Sequence, residues 1–351
     1  MASPLSPGSW GAMTGFNGKK SKALFRAITV LPVIIFFLSL LIGPYPVPLK
    51  EIPGAFVALI SPALAAGEQA VYRDILFRIR LPRLLLALAV GAALSVSGAS
   101  LQALFKNPLV NEYILGISSG AAFGAALSLV FLGRRFPPQV LAFALALAAI
   151  LIVLLIARNT DSGGVSLLLS GVIVSAFFSA LLALVQFFAS PYALQALVFW
   201  LMGSLSGAAW RSLLISLPLM AAGLAVLVLL RWRLNVLSLS EEEARSLGVN
   251  VGREKLLVIA AAALTTAAAT AVVGIIGWFG LIIPHLVRMM AGADNRRVIP
   301  LSAALGAAVL LLADDMTRSL AGFEIPIGIF TSIIGIPLFI YLLKKSKAVW
   351  R

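Results

Sequence analysis

The chain is a succession of long, uninterrupted apolar runs separated by short polar segments. The runs are about 20 residues long, the length of an α-helix that crosses the hydrocarbon core of a bilayer. Strands of a membrane barrel would instead alternate between apolar and polar residues. The pattern therefore predicts an all-α, polytopic membrane protein with ten transmembrane helices, at Ala27–Ile42, Leu81–Leu104, Tyr113–Leu132, Val140–Ala157, Leu167–Phe188, Leu213–Leu230, Leu256–Val273, Gly277–Ala291, Ile299–Leu320 and Pro326–Leu343.

One further apolar segment, Leu194–Trp210, is ambiguous. Gly203 and Gly207 interrupt it, and it contains Trp200 as well as Trp210. Tryptophan collects at the boundary between membrane and water. We expect a short helix lying at this interface rather than an eleventh span.

Composition supports the membrane interpretation and indicates an orientation. Hydrophobic residues are 61% of the chain and charged residues only 11%, about half the charged share of a soluble domain. The net charge of +14 does not indicate nucleic-acid binding, because the bases lie between apolar runs. With both termini in the cytoplasm, most of the 27 lysines and arginines lie inside, as the positive-inside rule requires. We expect residues 1–22 to be a flexible cytoplasmic tail and residues 23–351 a single transmembrane domain.

The sequence offers few groups for chemistry. It has no cysteine and one histidine, His285, so we expect no metal site. The segment around Gly18 and Lys19 fails as a phosphate-binding loop because Met13 stands where that motif requires glycine, so we expect no nucleotide or other cofactor on this chain.

The segment Gly116-Ile117-Ser118-Ser119-Gly120 matches the nucleophile motif of hydrolases, but it opens a membrane helix. Close helix packing through its glycines is the preferred interpretation. An intramembrane hydrolase that uses Ser118 or the pair Asp314 and Asp315 is an alternative. Acids in membrane helices are costly and are usually paired or functional. Arg318 follows Asp314 by one turn, so we expect an ion pair near the outer end of this helix.

The longest polar loop on the predicted inner side contains a helix signal. Ser240 and Glu243 have the spacing of a capping box, and Gly248 suits the end of the helix. The loop is thus predicted to contain a short capped helix that a partner protein can push.

Several motifs, in one order from about residue 50 to 343, resemble the iron-chelate and vitamin B12 permeases of the ATP-binding-cassette (ABC) importers. They are Arg80-Leu81-Pro82-Arg83, Val90–Gly98, Asn107-Pro108-Leu109, Leu115–Ala121, Trp200–Leu205, Gly280–Arg288, Asp314 with Arg318, and Glu324–Gly328. The resemblance implies a type II ABC importer permease fold, a homodimer of ten-helix subunits, and a translocation path at the dimer axis. It also implies two separate ATPase subunits that carry ATP and magnesium, and a periplasmic or lipoprotein substrate-binding protein.

The resemblance also assigns roles to residues. It assigns docking of the binding protein to Arg80, Arg83 and Arg318. Coupling to the ATPases falls to residues 238–249, with Ser240, Glu241, Glu243, Ala244, Arg245, Leu247 and Gly248. The resemblance assigns the cytoplasmic gate to Gly163, Gly164, Val165 and Ser166, in the turn 159–166. Structural motif positions are Asn107, Pro108, Gly116, Gly120, Pro284, His285 and Asp314.

We therefore expect a non-enzymatic transport subunit of the cell inner membrane that moves a ferric siderophore, haem or corrinoid. A permease for an oxyanion such as molybdate is the alternative within the same family. The fifth and tenth predicted spans would line the path, with Ser170, Ser175, Ser179, Thr331 and Ser332 as its polar positions.

Overall fold

The computed structural model describes residues 19–45, 47–60, 68–158, 163–320 and 324–345. Within these ranges the chain is helical and contains no strand, which confirms the all-α prediction. The α-helices are α1 Lys19–Ser39, α2 Ile52–Ile60, α3 Glu68–Asp74, α4 Leu81–Phe105, α5 Ile117–Leu127, α6 Pro138–Ala157, α7 Gly163–Phe188, α8 Pro191–Leu201, α9 Trp210–Leu229, α10 Arg231–Leu237, α11 Glu241–Ser246, α12 Val251–Val273, α13 Phe279–Ala291, α14 Asn295–Ser319 and α15 Ile327–Lys345.

Each of the ten predicted spans coincides with a helix. Seven helices of the described ranges are long and apolar enough to cross a membrane, and four further apolar helices are shorter. The exact number of ten spans remains a prediction. Helix α1 begins at Lys19, inside the segment predicted as a tail, and residues 1–18 lie outside the described residues.

The segment before Leu81 was predicted as an outer loop, and most of its described part is helical. A 3-10 turn at Leu49–Glu51 leads into α2, and α3 continues through a π-helical stretch, Ile75–Arg80, directly into α4. Pro82 explains the π-helical stretch, because a proline ring clashes with the carbonyl one α-turn earlier. The N–H of Leu81 instead bonds to the carbonyl of Leu76, five residues back.

Three helices, α4, α12 and α14, form the centre of the bundle. In the 18-residue apolar stretch of each, between 72% and 78% of the residues are buried, against 17% to 28% in the other long helices. Small residues allow this packing: a Cβ added at Gly91 would overlap the backbone of Gly306, and one at Gly98 would overlap that of Gly280. Close backbone approach of this kind drives helix association in lipid, where hydrophobic burial provides no force.

Helix α4 runs through the whole bundle and defines its two ends. We call the end with Arg80, Arg83 and Arg318 the arginine end, and the end with α11 and the start of α7 the coupling end. The ambiguous segment forms the short helix α8, which Ser190 caps, followed by irregular chain up to Trp210. Its predicted place at the membrane interface remains a prediction.

Candidate transport path and partner surfaces

The three arginines predicted to dock a binding protein meet in one ionic cluster at the arginine end. Arg80, Arg83 and Arg318 are only 3%, 7% and 5% exposed. The Nη2 atom of Arg83 lies 2.8 Å from Oδ1 of Asp314, and its Nη1 atom lies 2.6 Å from Oε1 of Glu324. Arg83 therefore joins α4 both to α14 and to the segment that precedes α15.

Arg318 completes the cluster from within α14. Its Nε atom lies 3.1 Å from Oδ2 of Asp314, so the predicted ion pair forms, and it also pairs with Asp315. Ser39 donates a hydrogen bond to Asp315, which connects α1 to the cluster.

Arg80 extends the cluster to the chain that follows α1. Its guanidinium donates to the carbonyls of Leu40 and Tyr45. The charges of all three arginines thus have partners within this chain, and their docking role remains a prediction. Glu324, whose side chain is 38% exposed, is the acidic member of the cluster nearest to solvent.

The coupling end contains the predicted capped helix. Ser240 Oγ accepts from the N–H of Glu243, and Glu243 Oε2 accepts from the N–H of Ser240 at 3.0 Å, so the capping box forms. The chain leaves α11 at Gly248, whose φ of 78° places it in the left-handed region that favours glycine. Ala244 is buried against the bundle, which leaves the acidic first turn exposed.

Two carboxylates of this helix are held in the charged form. A hydrogen bond from Lys255, together with the charge of that lysine, lowers the pKa of Glu241. The backbone hydrogen bond from Ser240 lowers the pKa of Glu243. Glu241 also pairs with Arg245 at 3.5 Å, so the helix presents fixed charges of both signs to solvent.

The predicted gate lies at the beginning of α7. Residues 159–162 of the predicted turn lie outside the described residues, and from Gly163 onward the chain is helical rather than a turn. Ser166 is buried and Val165 is exposed. A cleft of about 450 Å³ lies between Gly164 and α11, and Phe105, Lys106 and Pro108 also border it.

A larger cavity, of about 610 Å³, opens between other segments of the bundle. It is bordered by the irregular segments around residues 111–113 and 275–278, by the end of α8 and by the first turns of α15. Irregular backbone at membrane depth occurs where it is buried in protein or lines a water-filled cavity. The polar side chains at its wall are those of Asn111, Tyr113 and Ser332.

Of the five polar path positions predicted from the sequence, Ser332 lines this cavity. Ser175 lies behind the wall, where it donates to the carbonyl of Tyr113 at 3.0 Å. Thr331 donates to the carbonyl of Gly328. The sequence interpretation missed Asn111, which lies between two predicted spans, and Tyr113, which begins one, because the lining assembles from four separate segments.

Buried polar groups join the centre of the bundle to α13. Arg288 donates to the side chain of Gln102 and, at 3.0 Å, to the carbonyl of Ala99. Beside them, Glu112 is 2% exposed and its Oε2 atom has no hydrogen-bond partner among the described residues. A Cβ added at Gly280 would lie 2.6 Å from this atom.

The other motif residues have packing roles. Gly116 begins α5 with a φ of 79°, and a Cβ at Gly120 would overlap the carbonyl of Leu145 in α6. Asn107 follows the end of α4, and its side chain accepts from the N–H of Leu109 at 2.9 Å. Pro284 is buried within α13. These contacts are the close helix packing expected from the small residues.

Ser118 and His285, the residues of the hydrolase alternative, lie on helices with different neighbours. Helix α5 packs on α6, α7 and α12, whereas α13 packs on α4, α14 and α15. His285 packs edge-on against Phe339 of α15, with ring centroids 5.9 Å apart, and is hydrogen-bonded to the backbone of Leu342. The side chain of His285 is thus engaged with α15 rather than with α5.

Comparisons with known proteins agree with this geometry. Residues 31–345 match the model of the FecCD transport family. The chain is 39% identical over 322 residues to a probable iron chelatin transport system permease protein of Helicobacter pylori, covering 92% of this chain and 98% of that protein. It is 41% identical over 330 residues to a molybdate import system permease protein of Haemophilus influenzae, covering 93% of this chain and 96% of the relative.

A solved structure supports the fold. A metal-chelate type ABC transporter in an inward-facing conformation superimposes with a TM-score of 0.83 and 38% sequence identity, covering 92% of this chain and 99% of the other. The family match covers residues 31–345, and the two relatives and the solved structure each cover more than nine-tenths of the chain. The chain therefore belongs to the FecCD transport family, and it is an ABC transporter permease subunit rather than an enzyme.

Proposed function

We propose that this chain is the membrane permease of an ATP-driven importer whose cargo is a metal chelate, such as a ferric siderophore, haem or a corrinoid. The observation that supports it most strongly is the near-full-length similarity to an iron chelatin permease together with the superposition on a metal-chelate type transporter. The permease works with ATPase subunits and a substrate-binding protein, and no covalent step takes place on its residues.

The cavity wall suits a bulky cargo that must pass through without being retained. Its side chains are largely apolar, and its polar groups, Asn111, Tyr113 and Ser332, carry no charge. Conduction requires that cargo bind well enough to enter and weakly enough to leave. A wall of neutral donors and acceptors meets both conditions for a chelate, whose metal is already enclosed by its ligand.

Two copies of the chain would enclose the path between them. Helix α7 has an apolar exposed face that includes Leu169, Val172, Ile173 and Phe177. Helix α15 also exposes isoleucines. Helix α7 borders the cleft of about 450 Å³ and α15 borders the cavity of about 610 Å³, so pairing through these faces would add residues of a second copy to each.

Docking of the binding protein is assigned to the arginine end. The arginines are buried and already paired, so an acidic partner reaches them at Glu324, the exposed member of the cluster. An acidic residue of the binding protein would approach Arg83 where Glu324 now pairs with it, so the two carboxylates compete. Replacing Glu324 with Gln removes the competitor and is expected to increase the ATPase stimulation by the binding protein; unchanged stimulation would contradict docking at Arg83.

A molybdate importer is the second candidate, because the molybdate permease of Haemophilus influenzae is as similar as the iron chelatin permease. The two are separated by uptake into proteoliposomes that contain the permease, its ATPase and its binding protein. The proposal predicts ATP-dependent accumulation of a radiolabelled ferric siderophore, haem or cobalamin. Accumulation of labelled molybdate with none of these chelates would replace it with the oxyanion candidate.

A further inference from the structure

The last turn of α4 contacts both the coupling segment and the start of α7. The side-chain ammonium of Lys106 donates a hydrogen bond to the carbonyl of Leu239, which lies between α10 and α11. One residue earlier, Phe105 is the nearest neighbour of Gly164: a Cβ added at that glycine would lie 3.7 Å from the ring. A single helix end thus reaches both sides of the cleft at the coupling end.

The backbone of Lys106 is unusual for a lysine. Its φ of 51° places it in the left-handed region, at the position where α4 ends. Glycine or asparagine is the favoured residue at such a helix end, because a larger side chain is strained there. The chain nevertheless has lysine here, and the side chain that glycine would lack is the one that bonds to Leu239.

This backbone conformation also fixes the turn that follows. The N–H of Asn107 returns to the carbonyl of Gln102 at 3.2 Å, and the side chain of Asn107 accepts from Leu109. The last turn of α4 and the turn after it are thus joined by hydrogen bonds.

Helix α11 is also held to α12, because Lys255 donates to Glu241. Both α4 and α12 belong to the buried centre of the bundle, but the end of α4 also contacts Gly164 through Phe105. The cleft of about 450 Å³ separates α11 from the beginning of α7. It leaves room for α11 to move while the connection through α4 is kept.

We propose that Lys106 is the positioning residue through which a displacement of α11 reaches the first turn of α7. When an ATPase pushes α11, the carbonyl of Leu239 carries the ammonium of Lys106 with it. The last turn of α4 follows, and Phe105 shifts against Gly164. The proposal rests on the proposed function, since it describes how motion at the coupling end reaches the gate.

The test compares variants at position 106 in proteoliposomes with the ATPase and binding protein. Lys106→Met removes the donor, Lys106→Gly removes it and also relieves the backbone strain, and Lys106→Arg keeps a cationic donor. Lys22→Met, at an exposed lysine of α1 that does not line the cleft, is the matched control. The measured quantity is cargo transported per ATP hydrolysed.

Lys106→Met and Lys106→Gly are expected to keep ATP hydrolysis within about twofold of the original protein while transport per ATP falls by about tenfold. Lys106→Arg is expected to restore most of the transport per ATP, and Lys22→Met to behave as the original protein. Unchanged transport per ATP in the Met and Gly variants overturns the proposal, and so does an equal loss of hydrolysis and transport, which indicates faulty assembly.

Hydrogen exchange provides a readout that a purely structural role would not change. Nucleotide binding to the complex is expected to alter exchange of the amides in both α11 and the first turn of α7. In Lys106→Met the change at α11 persists and the change at α7 is lost; persistence of both overturns the proposal. If the original protein transports no cargo, the proposed function fails, whereas this exchange pattern can still be measured on the assembled complex.

Discussion

Arg83 and Asp314 form a buried ion pair although they are 231 residues apart in the chain. The Nη2–Oδ1 distance is 2.8 Å, and Asp314 is fully buried. Asp314 also accepts from Arg318, so this one carboxylate balances two buried guanidinium groups. The pair connects the central helices α4 and α14 at the arginine end.

Asp314→Asn is predicted to destabilise the protein by about 3 kcal/mol, because two buried guanidinium groups lose the carboxylate that they share. Arg83 keeps Glu324, and Arg318 keeps Asp315, as the remaining partner. The thermal denaturation midpoint of the purified protein in detergent measures the effect. Asp74→Asn is the matched control, since Asp74 pairs with Arg73 and Arg78 on the surface and such pairs contribute about 1 kcal/mol or less. Equal shifts for the two variants would contradict the buried cluster.

Glu112→Gln is predicted to stabilise the protein by about 1 to 2 kcal/mol. The Oε2 atom of Glu112 is buried and has no hydrogen-bond partner among the described residues, so ionisation of this side chain is costly, whereas an amide carries no charge. Glu242→Gln, at an exposed carboxylate of α11, should leave the denaturation midpoint unchanged. Destabilisation by Glu112→Gln would contradict this prediction, because it would show that the carboxylate is hydrogen-bonded in the folded protein.

Gly98→Ala is predicted to destabilise the protein by about 1 to 3 kcal/mol, because the added methyl group overlaps the backbone of Gly280 and forces α4 and α13 apart. Gly207→Ala is the control, since a Cβ at Gly207 meets nothing within 4 Å. The difference between the two denaturation midpoints tests whether glycine contacts set the distance between these helices. A smaller shift for Gly98→Ala than for Gly207→Ala would refute it.

The capping box of α11 should depend on pH. Because the pKa of Glu243 is lowered by the backbone bond from Ser240, the charged form stabilises the helix above the ordinary glutamate pKa, and this contribution is lost as the pH falls through the lowered value. A carbon-13 carboxyl titration, assigned with Glu243→Gln, should place Glu243 below the pKa of about 4.3 that is usual for glutamate. A pKa of Glu243 at or above this value would show that the capping box of α11 does not form in solution.

The positions of the helices could be predicted because lipid imposes the same requirement on every span, a long apolar run. The ends were less certain: α12 begins at Val251, five residues before the predicted Leu256, because Asn250 accepts from the N–H of Arg253 as an N-cap. Helices α2 and α3 were missed because, at 9 and 7 residues, they are too short to give an apolar run of membrane-spanning length. The capping box at Ser240 was predicted because its signal is local.

The candidate site was harder to predict, because its parts are distant in the sequence. The sequence indicates that Asp314 and Arg318 share a helix face, but no local pattern reveals that Arg83 and Glu324 join them. In the same way, Tyr113 was assigned to the start of a span, and only the assembled bundle brings it to the cavity wall opposite Ser332. Contacts between helices decide these features.

Transport by purified components decides whether this permease imports a metal chelate at the expense of ATP. The permease, its ATPase and its binding protein are placed in proteoliposomes, and the uptake of a labelled metal chelate is followed with ATP, with ADP and without the ATPase. The labelled chelate is expected to accumulate only when ATP and all three proteins are present. Accumulation without the ATPase, or conversion of the chelate by the permease alone, would contradict it.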